Sequence, residues 1–215
     1  MQNDKSTQQK RYSVMAPKLI AALNRRNYEA FFCETKEQAV EQALALTPDG
    51  SSVSWGGSAT LDQIGLKERL HGGPYEVLDR DRTPDEAAWM EMMRKALTCD
   101  VFFSSVNALA EDGTMVNIDG TGNRVAAIAF GPKRVILIVG MNKICRDPAA
   151  ARTRARTVAA PINGIRFNLN IPCSKTGVCG DCMSPESMCS YIVEMRRSRV
   201  DDRIKVILVG EDLGY

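Results

Sequence analysis

Histidine is the scarcest chemical group in this chain: His71 stands alone among 215 residues. One imidazole excludes a metal site built on several histidines. Its place before Gly72-Gly73-Pro74 reads as a surface loop rather than as the base of a Ser–His–Asp triad. Charge of one sign is also lacking. With a net charge of +2 the chain carries no electrostatic footprint for nucleic acid, and no such partner is expected. No apolar run approaches the ~20 residues that cross a bilayer, so no membrane span is expected. The first eleven residues, Met1 to Arg11, are polar and lack the apolar stretch of a secretory signal, which leaves a cytoplasmic location as the expectation. The chain has neither a dinucleotide G-x-G-x-x-G pattern nor a P-loop lysine. Internal repeats, low-complexity tracts and linkers are missing too, and a single domain over 1–215 is expected.

What is present is an ordinary globular composition, 44% hydrophobic and 25% charged. Helix-type spacing covers 13–24, 36–46, 59–64 and 148–159, with a further helix expected over 185–197. Strand-like runs are 28–33, 51–55, 75–78, 100–103, 135–139 and 205–209. Thr83, Pro84 and Glu86 make a start signal for a helix reaching about residue 98. The unbroken apolar run Val135–Val139 is that of a strand covered on both faces. Strands alternating with helices argue for an α/β fold with a mostly parallel sheet. The expected exception is an antiparallel hairpin over 114–130, turning at Asp119-Gly120-Thr121-Gly122-Asn123, with Asp112-Gly113 as a second turn. Residues 172–190 form a cysteine-bearing appendage within the same domain.

Three groups of residues point to chemistry. Cys173, Cys179, Cys182 and Cys189 have the spacing C-x5-C-x2-C-x6-C, and four thiolates suit either Zn²⁺ or an iron–sulfur cluster. Redox-active or reduced structural thiols, and disulfides formed on oxidation, stay open beside that reading. Cys33 and Cys99 read as buried apolar-like residues. Gly56, Gly57 and Ser58 lie between a strand and a helix, where backbone N–H groups meet an anion; a tight turn with Ser58 as helix cap is the alternative. The unit 104–124 carries Asn107, Glu111, Thr114, Asn117, Asp119, Asn123 and Arg124. Arg124, in what reads as an apolar strand, needs a reason to be charged there, and its fork suits a carboxylate or phosphate. Turn chemistry by Asp119 and Asn123 competes with that reading. The arginines around 152–156 and 196–203 read as solvated faces rather than an anion patch.

Trp55-Gly56-Gly57-Ser58, Asn107-Ala108, Asp112-Gly113-Thr114, Asn117-Ile118-Asp119-Gly120, Gly122-Asn123-Arg124-Val125-Ala126 and Phe130-Gly131-Pro132 together resemble the LUD (lactate-utilisation) domain family over nearly the whole chain. The ending, Cys173 to Cys189 with Thr176-Gly177 and Ser184-Pro185, resembles a small single-domain branch of it. No ferredoxin-type cysteine run is present. The resemblance implies a Rossmann-like three-layer α/β/α arrangement similar to the sugar-phosphate isomerase and CoA-transferase superfamily. It also implies a component of bacterial L-lactate oxidation to pyruvate that binds a small anionic ligand, a carboxylate or a phosphorylated compound, and works with other lactate-utilisation proteins. Gly56, Gly57, Ser58, Asn107, Thr114, Asn117, Asp119, Asn123 and Arg124 are then the ligand-binding set. A stand-alone isomerase or acyl/CoA-transferase-like enzyme is the rival, with Glu111 or Asp119 as base or nucleophile. A non-catalytic assembly protein with structural zinc is the third reading. A homo-oligomer is compatible with all of them.

Overall fold

The alternation of side chains along 135–139 divides the interior in two. Val135, Leu137 and Val139 belong to one buried cluster, Ile136 and Ile138 to another. A strand with both faces covered has no polar face, and so reads as a continuous apolar run. The structure, a computed structural model, describes residues 6–215; the first five residues of the polar N-terminal stretch lie outside them. The chain runs α1 (Thr7–Asn24), β1 (Glu29–Cys33), α2 (Lys36–Ala45), β2 (Ser52–Trp55), α3 (Ala59–Gln63), α4 (Leu66–His71), β3 (Glu76–Val77), α5 (Glu86–Lys95), β4 (Val101–Ser104), β5 (Ala108–Ala110), β6 (Met115–Asp119), α6 (Asn123–Ala129), β7 (Arg134–Gly140), β8 (Ile144–Cys145), α7 (Pro148–Arg154), α8 (Ala160–Arg166), α9 (Pro172–Thr176), β9 (Tyr191–Met195) and β10 (Ile204–Val209).

Six strands form one sheet in the order β1-β10-β7-β4-β2-β3, every neighbouring pair parallel. Tyr12, Leu19 and Leu23 of α1 and Ala127 and Ile128 of α6 cover one face. Ala39, Val40 and Ala43 of α2, Leu61 of α3, and Leu66 and Leu70 of α4 cover the other. The expected α/β/α layering is therefore the one found. A second sheet, β8-β5-β6-β9, packs its own small core against Ala151, Ala155 and Ala160. Between α7 and α8 the helix widens into a π turn at Ala155–Ala159. Pro161 is the second residue of α8; lacking an N–H, it cannot continue the regular ladder.

Several expectations are corrected. The hairpin is β5-β6, turning at Asp112-Gly113, and not the pair of strands expected over 114–130. After Asp119 the chain enters α6, because Gly122 adopts φ +86 at the N-cap and Val125–Ala129 is a good helical run. Arg124 therefore sits on a helix, not in a strand. The helix expected over 185–197 is the strand β9, antiparallel to β6; Tyr191, Ile192 and Val193 favour a pleated surface once β6 offers an edge. Helix α5 is capped by Asp85, whose side chain accepts from Ala88 N, rather than by Thr83. His71 is the last residue of α4, with its Nε2 2.8 Å from Asp79 Oδ2 and its ring edge-on to Trp55.

The arginine-rich segments are not simply solvated. Arg203 is buried and donates to the carbonyls of Ala127, Ile128 and Pro132 at 2.8–3.0 Å. It thus satisfies acceptors that the C-terminus of α6 leaves open. Replacing Arg203→Met would strand these carbonyls and is expected to cost about 3 kcal/mol of stability, measured by urea unfolding. Arg203→Lys should recover less than half of the loss, since one ammonium cannot span three carbonyls; a loss under about 1 kcal/mol in Arg203→Met would contradict this role.

Candidate functional site

In a parallel sheet the carboxyl ends of all strands share one side, and a crevice opens where the chain reverses its direction of winding. Here β2 leads outward to β3, whereas β4, β7 and β10 build in the opposite direction. The reversal lies between β2 and β4. Their ends carry Gly56-Gly57-Ser58 and Ser104-Ser105-Val106-Asn107, joined by a bond from Gly56 N to Phe103 O of 3.1 Å. Gly56 is required by contact, for a Cβ there would stand 2.8 Å from Arg124 Cγ.

A cleft of about 460 Å³ opens at this point. Gly57, Arg80, Asn107, Asp119, Asn123 and Arg124 contribute its polar wall, and Trp89, Phe167, Leu169 and Met188 its apolar wall. Arg124 is held by three neighbours: Asn107 Oδ1 at 3.2 Å, Asp119 Oδ2 at 3.4 Å and the carbonyl of Ile118. Asp119 is itself fully engaged. Its Oδ1 accepts from Gly122 N at 3.1 Å and its Oδ2 from Val125 N at 3.2 Å, so the carboxylate caps the start of α6. Arg80 is different. It stacks on the Trp89 ring at 4.9 Å, and its Nε is buried with no hydrogen-bond partner. It makes a long ion pair with Asp81 Oδ1 at 3.6 Å, and the other oxygen of that carboxylate, Oδ2, accepts from Lys67 and the Trp55 indole. Burial lowers the Arg80 pKa from its ordinary value.

Behind the polar wall lies Lys143, which follows β7 and is 3% exposed. Its Nζ donates to Ser105 Oγ at 2.9 Å and Thr60 Oγ1 at 3.0 Å, and no carboxylate pairs with it among the described residues. Burial, and then the charges of Arg154 and Arg124, push its pKa from 10.5 down to about 7. Arg154 donates to the Asn107 carbonyl at 2.6 Å. Arg80, Arg124 and Arg154 thus stand at this end of the sheet against the two engaged carboxylates of Asp81 and Asp119, an electrostatic setting that favours an anion.

A family model described as LUD domain matches residues 16–209. The chain belongs to the LUD domain family. That family is associated with lactate utilisation. Among solved structures, a DUF162 family protein from Deinococcus radiodurans is similar at 14% identity, with a TM-score of 0.52 over 92% of this chain and 98% of that one. Ribose 5 phosphate isomerase A from Neisseria gonorrhoeae aligns at 15% identity and TM-score 0.33, over 52% of this chain and 53% of that one. The eIF2B delta protein from Chaetomium thermophilum aligns at 16% identity and TM-score 0.34, over 64% of this chain and 53% of that one. The first likeness concerns the fold. No curated protein matches the chain.

The LUD domain brings Gly57, Asn107, Asp119, Asn123 and Arg124 into one cleft, with Gly56 directly behind. Ser58 caps α3 through Leu61 N. Thr114 bonds Asp112 in the hairpin turn, outside the cleft lining. Asn117 is fully buried on β6, with neither side-chain atom partnered, and is not part of the lining. Glu111 pairs with exposed Lys18 at 2.6 Å, also away from the lining. Among the described residues no three His, Cys, Asp or Glu side chains stand where they could hold one metal ion, and all seven cysteines are free. No helix of the described residues is long and apolar enough to cross a membrane. Arg80 and Lys143 had no distinguishing sign in the sequence beyond charge: Arg80 sits in an Asp-Arg-Asp-Arg run, and Lys143 follows an apolar strand; Arg154, expected on a solvated face, is instead turned to Asn107.

The Lys143 shift has a measurable sign. Between about pH 7 and pH 10 the unfolded chain holds a proton on Lys143 that the folded chain has released. This group therefore makes the fold more stable as pH rises through that window. The stability of the wild type relative to Lys143→Met is expected to rise between those pH values, followed by denaturant midpoints. A difference that stays level across the window would show that Lys143 has its ordinary pKa.

Proposed function

We propose that this LUD domain binds a small phosphorylated or carboxylated metabolite in the cleft at the β2/β4 reversal, as a component of lactate utilisation. The supporting observation is Arg80, a half-buried guanidinium whose enclosed Nε has no hydrogen bond and only a long ion-pair contact of 3.6 Å to Asp81 Oδ1, with Nη1 4.0 Å from where a Gly57 Cβ would stand. A buried donor without an acceptor is costly, and an anionic ligand removes that cost. Arg80 and Arg124 each bring a guanidinium to the cleft lining, the latter with Nε and Nη2 already engaged, Gly57 permits close approach of the backbone, and Arg154 adds positive potential from behind. The apolar wall of Trp89, Phe167 and Leu169 suits a ligand with an organic body, and the cleft of about 460 Å³ leaves space beyond a three-carbon acid. A carboxylate base is poorly supported: Asp119 is spent on α6 and Arg124, and Glu111 lies elsewhere. The reading is therefore one of anion recognition first.

Titration calorimetry with inorganic phosphate, a set of sugar phosphates, L-lactate and pyruvate tests this. At least one phosphorylated or carboxylated compound should bind, and Arg80→Gln and Arg124→Gln should each weaken it by about 10- to 100-fold, the worth of a charge-assisted bond. Binding untouched by both substitutions, or no binding across the set, would reject the site.

A further inference from the structure

Beside the anion cleft lies a second cavity, a groove of about 480 Å³. Met90 and Met93 of α5, Val125, Ala126 and Ala129 of α6, and Val193 of β9 form its apolar wall. No acidic side chain lines it. Its one charged side chain, Arg94, is 67% exposed and pairs with Glu91 at 3.8 Å. A concave apolar wall open to water is where apolar matter binds. Groove and cleft are neighbours. Thr121 and Asn123 line both, and of two successive residues on α5, Trp89 lines the cleft and Met90 the groove. The turn that separates them runs through Gly122, at φ +86. A Cβ there would stand 3.0 Å from Tyr191 Cε2, so the turn carries no side chain at this point between the two cavities.

We propose that the ligand of the anion cleft carries a linear apolar chain, which crosses the turn at Gly122 and lies in this groove. The ligand class is an amphiphilic anion, a phosphate or carboxylate on an alkyl chain of medium length. This names the class of ligand for the same site and rests on the anion-binding reading. Charge decides which end goes where. The Arg80 Nε without a hydrogen bond and the Arg124 guanidinium stand on the cleft side of the turn. Past the turn, an ionised group among the side chains of Met90, Met93, Val125 and Ala129 would lose water without gaining a partner. A chain running the other way meets no such cost. The cleft already has an apolar wall at Trp89, and α5 continues that wall into the groove, so a chain leaving the anionic head stays covered along its path.

The test titrates the full chain by calorimetry with n-alkyl phosphates from methyl to octyl and with the matching alkanoates, each below its micelle concentration. In at least one series affinity should rise by about threefold per added methylene, the worth of a buried CH₂. Ala126 is exposed on the groove wall, and Ala126→Phe should fill the groove and cut the gain from methyl to octyl by at least about tenfold. Ala129→Phe, exposed on the same wall, replaces it should the first variant not fold. Arg80→Gln should weaken every member of the series. Short members that bind with no gain along the series overturn the chain and leave the anion reading standing. A gain that Ala126→Phe leaves intact overturns the groove as its path. A gain that Ala126→Phe removes, with no effect of Arg80→Gln, rejects the anion reading and with it this ligand, as does a lack of binding in both series. Light scattering covers the rival occupant, Phe130 of a second copy, since this side chain is 87% exposed where α6 ends. A dimer that Ala126→Phe dissociates, without any gain along the series, overturns the proposal.

Discussion

The carboxylate of Asp119 is the constraint on which the site depends. It stands at the end of β6, where the chain must leave the small sheet and begin α6. By accepting from Gly122 N and Val125 N it replaces the partners that a helix start lacks, and by accepting from Arg124 Nε it sets the direction of that side chain. Arg124 then reaches Asn107, which lies between β4 of the large sheet and β5 of the small one and whose Oδ1 also accepts from Ile118 N at 2.9 Å. One acid, one amide and one guanidinium thereby join the two sheets at the winding reversal. An unpaired member of such a network would cost more than the bond itself returns, so the three positions stand or fall together.

The second feature of the site is its sign. Arg80, Arg124, Arg154 and Lys143 are gathered at the carboxyl edge of the parallel sheet, and the pKa of Arg80, Arg154 and Lys143 is lowered chiefly by burial. Burying positive charge opposes folding unless each group finds acceptors. Arg154 and Lys143 find a carbonyl and two hydroxyls, while Arg80 keeps an unpartnered Nε. The two large cores, in which the central strands β4, β7 and β10 are buried along nearly their whole length, supply the apolar burial against which this cost is set. A site that is electrostatically unsatisfied on a well-packed scaffold is the usual form of a binding site.

The central strand β7 was legible because both its faces are apolar, α2 because its spacing is helical, and α5 because Thr83, Pro84 and Glu86 signal a helix start. The failures have physical causes. Residues 191–195 carry a pattern that either structure accepts, and the free edge of β6 decided for a strand. Asp119 to Asn123 has turn chemistry, but a turn into a helix and a turn into a second strand share the same residues until Gly122 takes φ +86 and the carboxylate finds Val125 N. The glycines at 56 and 57 stand out in the sequence as a strand-to-helix loop, but the contact that requires glycine at 56 is with a side chain 68 positions further along the chain, Arg124.

The sequence by itself determined the layered α/β class, the family, and the polar units that meet at the cleft, because these follow from periodicity and from short contiguous runs. Only the tertiary structure decided which charges matter. Lys18 and Glu111 pair on the surface and Lys67 is spent on Asp62 and Asp81, whereas Lys143 is buried on two hydroxyls with no carboxylate and Arg80 keeps an enclosed Nε without a hydrogen bond. Burial and partner count depend on residues brought together from across the chain, so they belong to the folded molecule and leave no mark on the local sequence.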